Sequence, residues 1–291
     1  MQLDYKILFV DDEGFSDYMG ELKDSIESYL VDMGFVLIGL EVNTREELES
    51  QISTDKDYDL IFVDNRFDDK ECGIEFIKKI RDANIYADII LCTAQSDNDL
   101  IKNINVDTAP YGFYYFKKGP NLYQHACNVI SFRFEKELDT NVMRGIAMSE
   151  VAKFDSYIHA ILLRDDSHKQ KILSKIKEKS KKRHEDVSNP DLEDKIWSKI
   201  TNPETSTIYF ESSMRKDFFH ANVLKNITTL KECYNAIKDK YRDDVLDKRN
   251  ILAHQIEPKI SSEEIKQFRK ELIVFRKIFE EINEHFNENV T

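Results

Sequence analysis

Five short apolar runs punctuate the first half of the chain: residues 6–10 (KILFV), 35–40 (FVLIGL), 58–63 (YDLIFV), 87–94 (ADIILCTA) and 111–116 (YGFYYF). They are rich in β-branched and aromatic residues and almost unbroken by polar ones, the pattern of strands buried on both faces of a parallel sheet. Amphipathic segments follow them at residues 16–33, 44–53, 73–84, 96–103 and 121–138. Thr44-Arg45-Glu46-Glu47 has the spacing of a capping box and starts one of these helices. Five strand–helix units in succession predict an α/β domain with a doubly wound, parallel five-stranded sheet.

The pattern changes after residue 139. Alternation of strand and helix stops, and helical periodicity covers residues 142–164, 169–183, 191–200, 208–240, 243–255 and 261–286. Asn189-Pro190, Asn202-Pro203 and Pro258 supply the breaks. The last segment carries Ile265, Phe268, Leu272, Phe275, Phe279, Ile282 and Phe286 at steps of three and four. Such a stripe serves either as the core of one bundle or as a seam between two copies, and core is the reading phenylalanine favours. The expected organisation is therefore an α/β domain over residues 1–138 and an all-helical bundle over residues 139–291.

Composition adds a polarity to this plan. Residues 1–140 carry 29 acidic and 14 basic side chains, a balance of −15, against 26 and 28, or +2, in residues 141–291. The acidic half repels nucleic acid, so a polyanion would meet the second half. A basic run at residues 169–183 (KQKILSKIKEKSKKR) reads first as a solvated helix face. No run approaches a membrane span, and the N-terminal stretch, with carboxylates inside it, is no signal peptide. The four cysteines, Cys72, Cys92, Cys127 and Cys233, have no metal-binding spacing and fit free thiols in a cytoplasm.

Polar residues gather where the strands end, which in such sheets is where the site lies. Strand one ends in Asp11-Asp12, strand three in Asp64, strand four in Thr93, and strand five in Lys117-Lys118. Three carboxylates on one rim call for a hard divalent cation, most naturally Mg2+. With a lysine and a hydroxyl beside them they can hold a phosphoryl group on a carboxylate. VDDE, FVD, LCTA and FKK at successive strand ends resemble a response-regulator receiver domain over about residues 1–135. The resemblance implies Asp64 as phosphoacceptor, Mg2+ held by Asp11, Asp12, Asp64 and the backbone carbonyl of Arg66, and Thr93 bonded to the phosphoryl group. It further implies Lys117, favoured over Lys118, as its ion-pair partner, and Tyr114, three residues before Lys117, as an aromatic switch. A sensor histidine kinase or phosphotransfer protein would be the partner. Where receivers usually have proline, the acidic loop NRFDDKECG has Asp68, and Gly73 comes about one residue late.

In the second half, RNILAH (residues 249–254) sets an arginine, an asparagine and a histidine on one predicted helix. Arg249 and His254 lie about 140° apart around it, whereas Asn250 and His254 share a face. Arginine binds phosphate and histidine exchanges protons near neutral pH. RNILAH is similar to the R-x(4–6)-H motif of HEPN domains, which implies metal-independent RNA cleavage by Arg249, Asn250 and His254 at a composite site of a homodimer. Two other readings stand beside it. Arg249 pairs with an acidic neighbour such as Asp244 or Asp247 and the bundle is a non-catalytic output that binds a protein, or the bundle is a histidine phosphotransfer domain. The last lacks the Lys-Gly pair usual after its histidine, since Gln255-Ile256 follows. No nucleotide-binding, zinc-protease or helix-turn-helix pattern occurs in this half.

Overall fold

A computed structural model describes residues 3–12, 17–67, 70–94, 112–182, 192–202, 210–255 and 260–288. The predicted strands form β1 (Asp4–Val10), β2 (Val36–Val42) and β3 (Leu60–Asp64). Two short strands, β4 (Arg66–Phe67) and β5 (Lys70–Glu71), come next, then β6 (Asp88–Thr93) and β7 (Phe113–Lys117). The five long strands form one parallel sheet in the order β2-β1-β3-β6-β7. Counting long strands alone, this is the 2-1-3-4-5 order of flavodoxin-like folds, with its switch point between β1 and β3. The helices are α1 (Asp17–Asp32), α2 (Arg45–Thr54), α3 (Gly73–Asp82) and α4 (Leu122–Glu137). The helix expected at residues 96–103 lies outside the described residues.

Both sheet faces are buried, which accounts for the nearly continuous apolar runs. Odd-numbered residues of β3, β6 and β7, such as Ile61, Leu91 and Tyr115, pack on one face with α2 and α3. Even-numbered ones, such as Phe62, Cys92 and Phe116, pack on the other with α1 and α4. The capping box at Thr44 and Glu47 forms as its spacing predicts. Between β3 and α3 the acidic loop folds into the antiparallel pair β4–β5. Gly73 then opens α3 so close to the end of β3 that a Cβ there would stand 2.8 Å from Asn65 Cα. Its position after the loop is thus set by backbone proximity.

Residue contacts group 1–143 with 260–270 in one unit, and 144–259 with 271–291 in a second. One boundary after residue 138 was the expectation; the chain instead returns to the first unit near its end. Arg269 explains the return. Its side chain is fully buried, its Nε donates to the Gly34 carbonyl at 3.0 Å, and its guanidinium lies 3.8 Å from the centre of the Phe35 ring. Phe35 stacks in turn on Phe134 of α4, with ring centres 4.3 Å apart. Gly34 has φ +80°, and a Cβ there would meet Arg269 Cβ at 2.7 Å and the Lys266 carbonyl at 2.9 Å. Gly34→Ala is therefore expected to destabilise the unit by about 2 kcal/mol or more, combining left-handed strain with the clash, and to lower the urea midpoint accordingly.

The second unit is built from α5 (Thr140–Leu163), α6 (Lys169–Lys182), α7 (Leu192–Thr201), α8 (Ser212–Asn222), α9 (Lys231–Asp239), α10 (Lys248–His254) and the later part of α11 (Ser262–Glu288). The single helix expected at residues 208–240 is divided. Turns of 3-10 helix at Leu224–Asn226 and Thr228–Leu230 separate α8 from α9, and Ile227 between them is extended. Asn226 and the β-branched run Ile227-Thr228-Thr229 make this the weak point of the helical pattern. Ser261 and Glu264 form the expected cap of α11. The stripe from Ile265 to Ile282 is buried, so it is core within the chain. Beside it, Arg276 holds the buried Glu150 through two bonds of 3.0 Å.

Candidate functional site

Two places gather the residues singled out by sequence, one in each unit. In the first unit β1 and β3 end side by side, and their terminal carboxylates meet. Ligand oxygens of Asp11, Asp12 and Asp64 lie within 4.8 Å of one another. Asp11 and Asp64 are buried, and Asp12 is half-buried. Burial, with a smaller contribution from the negative charge of Asp12, pushes the Asp64 carboxyl above the usual range, against the opposing pull of Lys118. The backbone N–H of Arg66 donates to Asp64 Oδ1 at 3.2 Å. Three oxygens at this spacing, without nitrogen or sulfur, are the donor set of a hard cation such as Mg2+, so the residues fit the expected metal.

The lysine at this rim is Lys118. Its Nζ lies 2.5 Å from Asp64 Oδ2 and 3.7 Å from Asp11 Oδ2, whereas Lys117 is exposed. The geometry thus corrects the expectation that Lys117 serves here. The reason is register: Asp64 pairs with Cys92 and Cys92 with Phe116, so the face that carries Asp64 continues through Phe116 to residue 118. Lys118 also anchors its own backbone, its N–H donating to the Thr93 carbonyl at 2.7 Å. Ion pairing to Asp64 and Asp11 raises the Lys118 pKa although burial opposes it. Thr93, buried at the end of β6, completes the rim.

Tyr114 falls on the same even-numbered face as Phe116, packed with the α1 and α4 cluster. Thr93 belongs to the opposite face by alternation. The aromatic three residues before Lys118 is Tyr115, which packs on the α2 and α3 face and pairs in register with Leu91, two residues before Thr93. Tyr114 and Tyr115 thus lie on opposite faces of β7, and Tyr115 is the one on the face of Thr93.

In the second unit RNILAH forms α10, entered through a π-helical stretch at Arg242–Asp247. Such wide turns inside a helix are frequent at functional sites. Leu252 alone of the apolar residues of α10 is buried, and Ile251 is exposed. Asn250 and His254 are both exposed, in keeping with their shared face. Arg249 is half-buried and turns to a cleft of about 260 Å³ lined also by Asp155 and Ser212. Burial pushes the Asp155 carboxyl above its usual range, against the Ser212 hydrogen bond and the positive charges of Arg215 and, least of these, Arg249; Asp247 pairs with Arg242 at 3.9 Å. His254 is absent from this lining, so among the described residues the cleft gathers Arg249 without its histidine.

Three contributors were not read from the sequence. Arg144 of α5 donates through Nε to the Leu252 carbonyl at 2.5 Å and through its other arm to the Gln255 carbonyl at 3.0 Å, capping α10 beside His254. Asp155 and Ser212 come together across 57 residues, with Ser212 Oγ donating to Asp155 Oδ1 at 2.8 Å. Nothing in local spacing marks either, because both arise from packing of α5 against the start of α8. The basic run is α6, and Lys177 and Lys179 form ion pairs with Glu193 and Glu211, so part of its charge is neutralised inside the unit.

One turn along α5 from Asp155, His159 is held far below its ordinary value, at about 4, by burial and then by the positive charge of Arg215. Between that value and the unfolded value of about 6.5, the unfolded chain binds the extra proton, so stability falls as pH drops through this window. Melting curves from pH 7 to pH 5 are expected to show a steeper loss for wild type than for His159→Gln.

No family model matches the chain, and no curated protein does. No helix among the described residues is long and apolar enough to cross a membrane. Solved structures similar to this chain include a response regulator receiver domain protein (CheY-like) from Methanospirillum hungatei. It is 19% identical over 46% of this chain and 95% of that chain, with a TM-score of 0.35. A response regulator receiver protein from Sinorhizobium medicae is 14% identical over 44% of this chain and 92% of that one, with a TM-score of 0.34. A response regulator from Thermotoga maritima is 24% identical over 44% and 98%, also at 0.34.

Proposed function

We propose that the chain is a phosphorylation-controlled regulator whose first unit accepts a phosphoryl group on Asp64. The observation that carries this reading is the meeting of Asp64 with Asp11, Asp12 and Lys118 at the carboxyl ends of adjoining strands. An Asp64 oxygen attacks the phosphorus of a phosphohistidine on a sensor kinase or phosphotransfer protein. The P–N bond breaks, and the departing imidazole keeps the electron pair and takes a proton. Asp11, Asp12, Asp64 and the Arg66 carbonyl would hold Mg2+, which when bound offsets the charge of the incoming phosphoryl oxygens. Lys118 passes from the Asp64 carboxylate to the phosphoryl group, the Thr93 hydroxyl bonds to it, and Tyr115 on the same face relays the change.

For the second unit the proposal is RNA cleavage, with Arg249 binding the phosphodiester and His254 exchanging a proton with the 2′-hydroxyl or the leaving oxygen, oriented by Asn250. Exposure of Asn250 and His254 on a short helix capped by Arg144 supports access to a large substrate. A second chain, in a homodimer, would supply the complementary half of the site. A cytoplasmic location suits both activities. The rival reading, a non-catalytic regulator whose bundle binds a protein, is favoured by the cleft that holds Arg249 and Asp155 but not His254.

Incubation of the purified chain with RNA, with and without acetyl phosphate and Mg2+, separates the two. Cleavage that depends on phosphorylation and is lost in His254→Ala supports the nuclease. Equal RNA stability with wild type and His254→Ala in both states leaves the protein-binding regulator. Labelling of Asp64→Ala to the wild-type level would overturn the assignment of the acceptor itself.

A further inference from the structure

β2 is an edge strand: it pairs with β1 on one side and, among the described residues, with no strand on the other. Its ends show which backbone groups are left over. The Val36 N–H donates to the Leu3 carbonyl at 2.8 Å, and the Val42 carbonyl accepts from the Asp11 N–H at 3.1 Å. In a parallel ladder the residues that bond to one neighbour alternate, so even-numbered positions turn to β1, and the N–H and C=O groups of Leu37, Gly39 and Glu41 point outward. Open edges invite pairing, and proteins blunt them with lysine, proline, bulges or brevity. β2 has none of these. It runs for seven residues in unbroken register, without proline, and its one charge, Glu41, is already countered by Lys23 of α1 at 2.6 Å. Ile38, beside its midpoint, is 39% exposed.

The strand complements itself. Its sequence, VLIGLEV, reads nearly alike in both directions about Gly39. Two copies laid antiparallel with Gly39 opposite Gly39 pair Leu37 with the second copy's Glu41, and each outward N–H meets a carbonyl. Ile38 then faces the second copy's Leu40, and Val36 faces its Val42, in the non-hydrogen-bonded pairs where side chains come closest. A pairing centred on Glu41 would instead set like charges opposite each other and leave Leu37 open. The Gly39 register also brings residue 34 opposite residue 44. The turn of α11 seated at Gly34, with Lys266 and Lys270, thereby meets the acidic first turn of α2, with Glu46. We propose that β2 is a dimer interface of this chain: two copies join their β2 edges antiparallel about a twofold axis at Gly39, so that their five-stranded sheets become one. The proposal concerns the first unit and does not rest on the RNA reading of the second.

The full chain is followed by sedimentation velocity over a dilution series, with amide hydrogen exchange resolved at Leu37, Gly39 and Glu41. A dimer is expected in which these three amides exchange at least about tenfold more slowly than in the diluted monomer. Ile38→Lys, at an exposed position, sets a charge beside the second copy's Leu40 and is expected to raise the dissociation constant at least about tenfold. Glu41→Leu completes the apolar repeat and is expected to lower it several-fold, which general damage to the fold does not do. A chain that stays monomeric at its highest soluble concentration overturns the proposal. So does a dimer whose three amides exchange as in the monomer, because its contact then lies elsewhere in the chain. Protection of these amides in a monomer overturns it too, since another segment of the same chain then covers the edge. A dimer that Ile38→Lys leaves as tight as wild type has the same consequence.

Discussion

Replacing Lys118 with alanine is expected to lower the level of phosphorylated Asp64 at least about tenfold at fixed acetyl phosphate and Mg2+, whereas Lys117→Ala is expected to stay within about twofold of wild type. The ammonium of Lys118 lies 2.5 Å from Asp64 in a half-buried setting, with Asp11 at 3.7 Å. A hydrogen bond to a charged group contributes about 1.5–3 kcal/mol, which corresponds to roughly ten- to a hundredfold. The phosphoryl group adds further negative charge at the same spot, so the cation matters more after transfer than before. Lys117 is exposed and belongs to the opposite side of the strand, where screening leaves a charge little influence. Phosphate-affinity electrophoresis of the three proteins measures the effect. A larger loss in Lys117→Ala than in Lys118→Ala would show that the register argument is wrong.

The second large effect concerns the bundle. Arg276→Ala is expected to destabilise the second unit by about 3 kcal/mol, read as a drop in the urea midpoint without a change in slope. Glu150 is 3% exposed and is held by both arms of the Arg276 fork, with Lys153 at 3.0 Å from one oxygen. Removing the fork leaves a buried carboxylate with a single, partly exposed partner. The desolvation cost of that charge is then no longer offset. Replacing both members, Glu150→Leu with Arg276→Met, is expected to return most of the lost stability, because an apolar pair of similar volume carries no desolvation cost. If the double variant is as unstable as Arg276→Ala, the loss comes from packing and not from an uncompensated charge.

The elements that were easy to read share a cause. β3 is buried throughout and β6 from Ile89 onward, so their composition had to be almost wholly apolar, and the caps at Thr44 and Ser261 depend on residues three apart. Segments 208–240 and 243–255 were harder, because helical periodicity survives a 3-10 turn or a π turn that changes only the local hydrogen bonding. At the rim, Asp11, Asp12, Asp64 and Thr93 were legible because strand ends locate them whatever the neighbouring strand does. Lys117 was misplaced because alternation along β7 gives two faces without saying which one meets Asp64.

By itself, then, the sequence determined the five-stranded parallel sheet, the acidic rim at its strand ends, the helical character of the second half, and the shared helical face of Asn250 and His254. These follow from local periodicity, since a strand repeats every two residues and a helix every 3.6. Only the tertiary structure decided that Lys118 holds the position beside Asp64, because cross-strand register belongs to two segments at once. It also decided that Arg269 ties the start of α11 to Gly34, and that Arg249 faces Asp155 and Ser212. These contacts join residues far apart in the chain, and what selects them is the burial of charged groups that must find partners, which no single segment encodes.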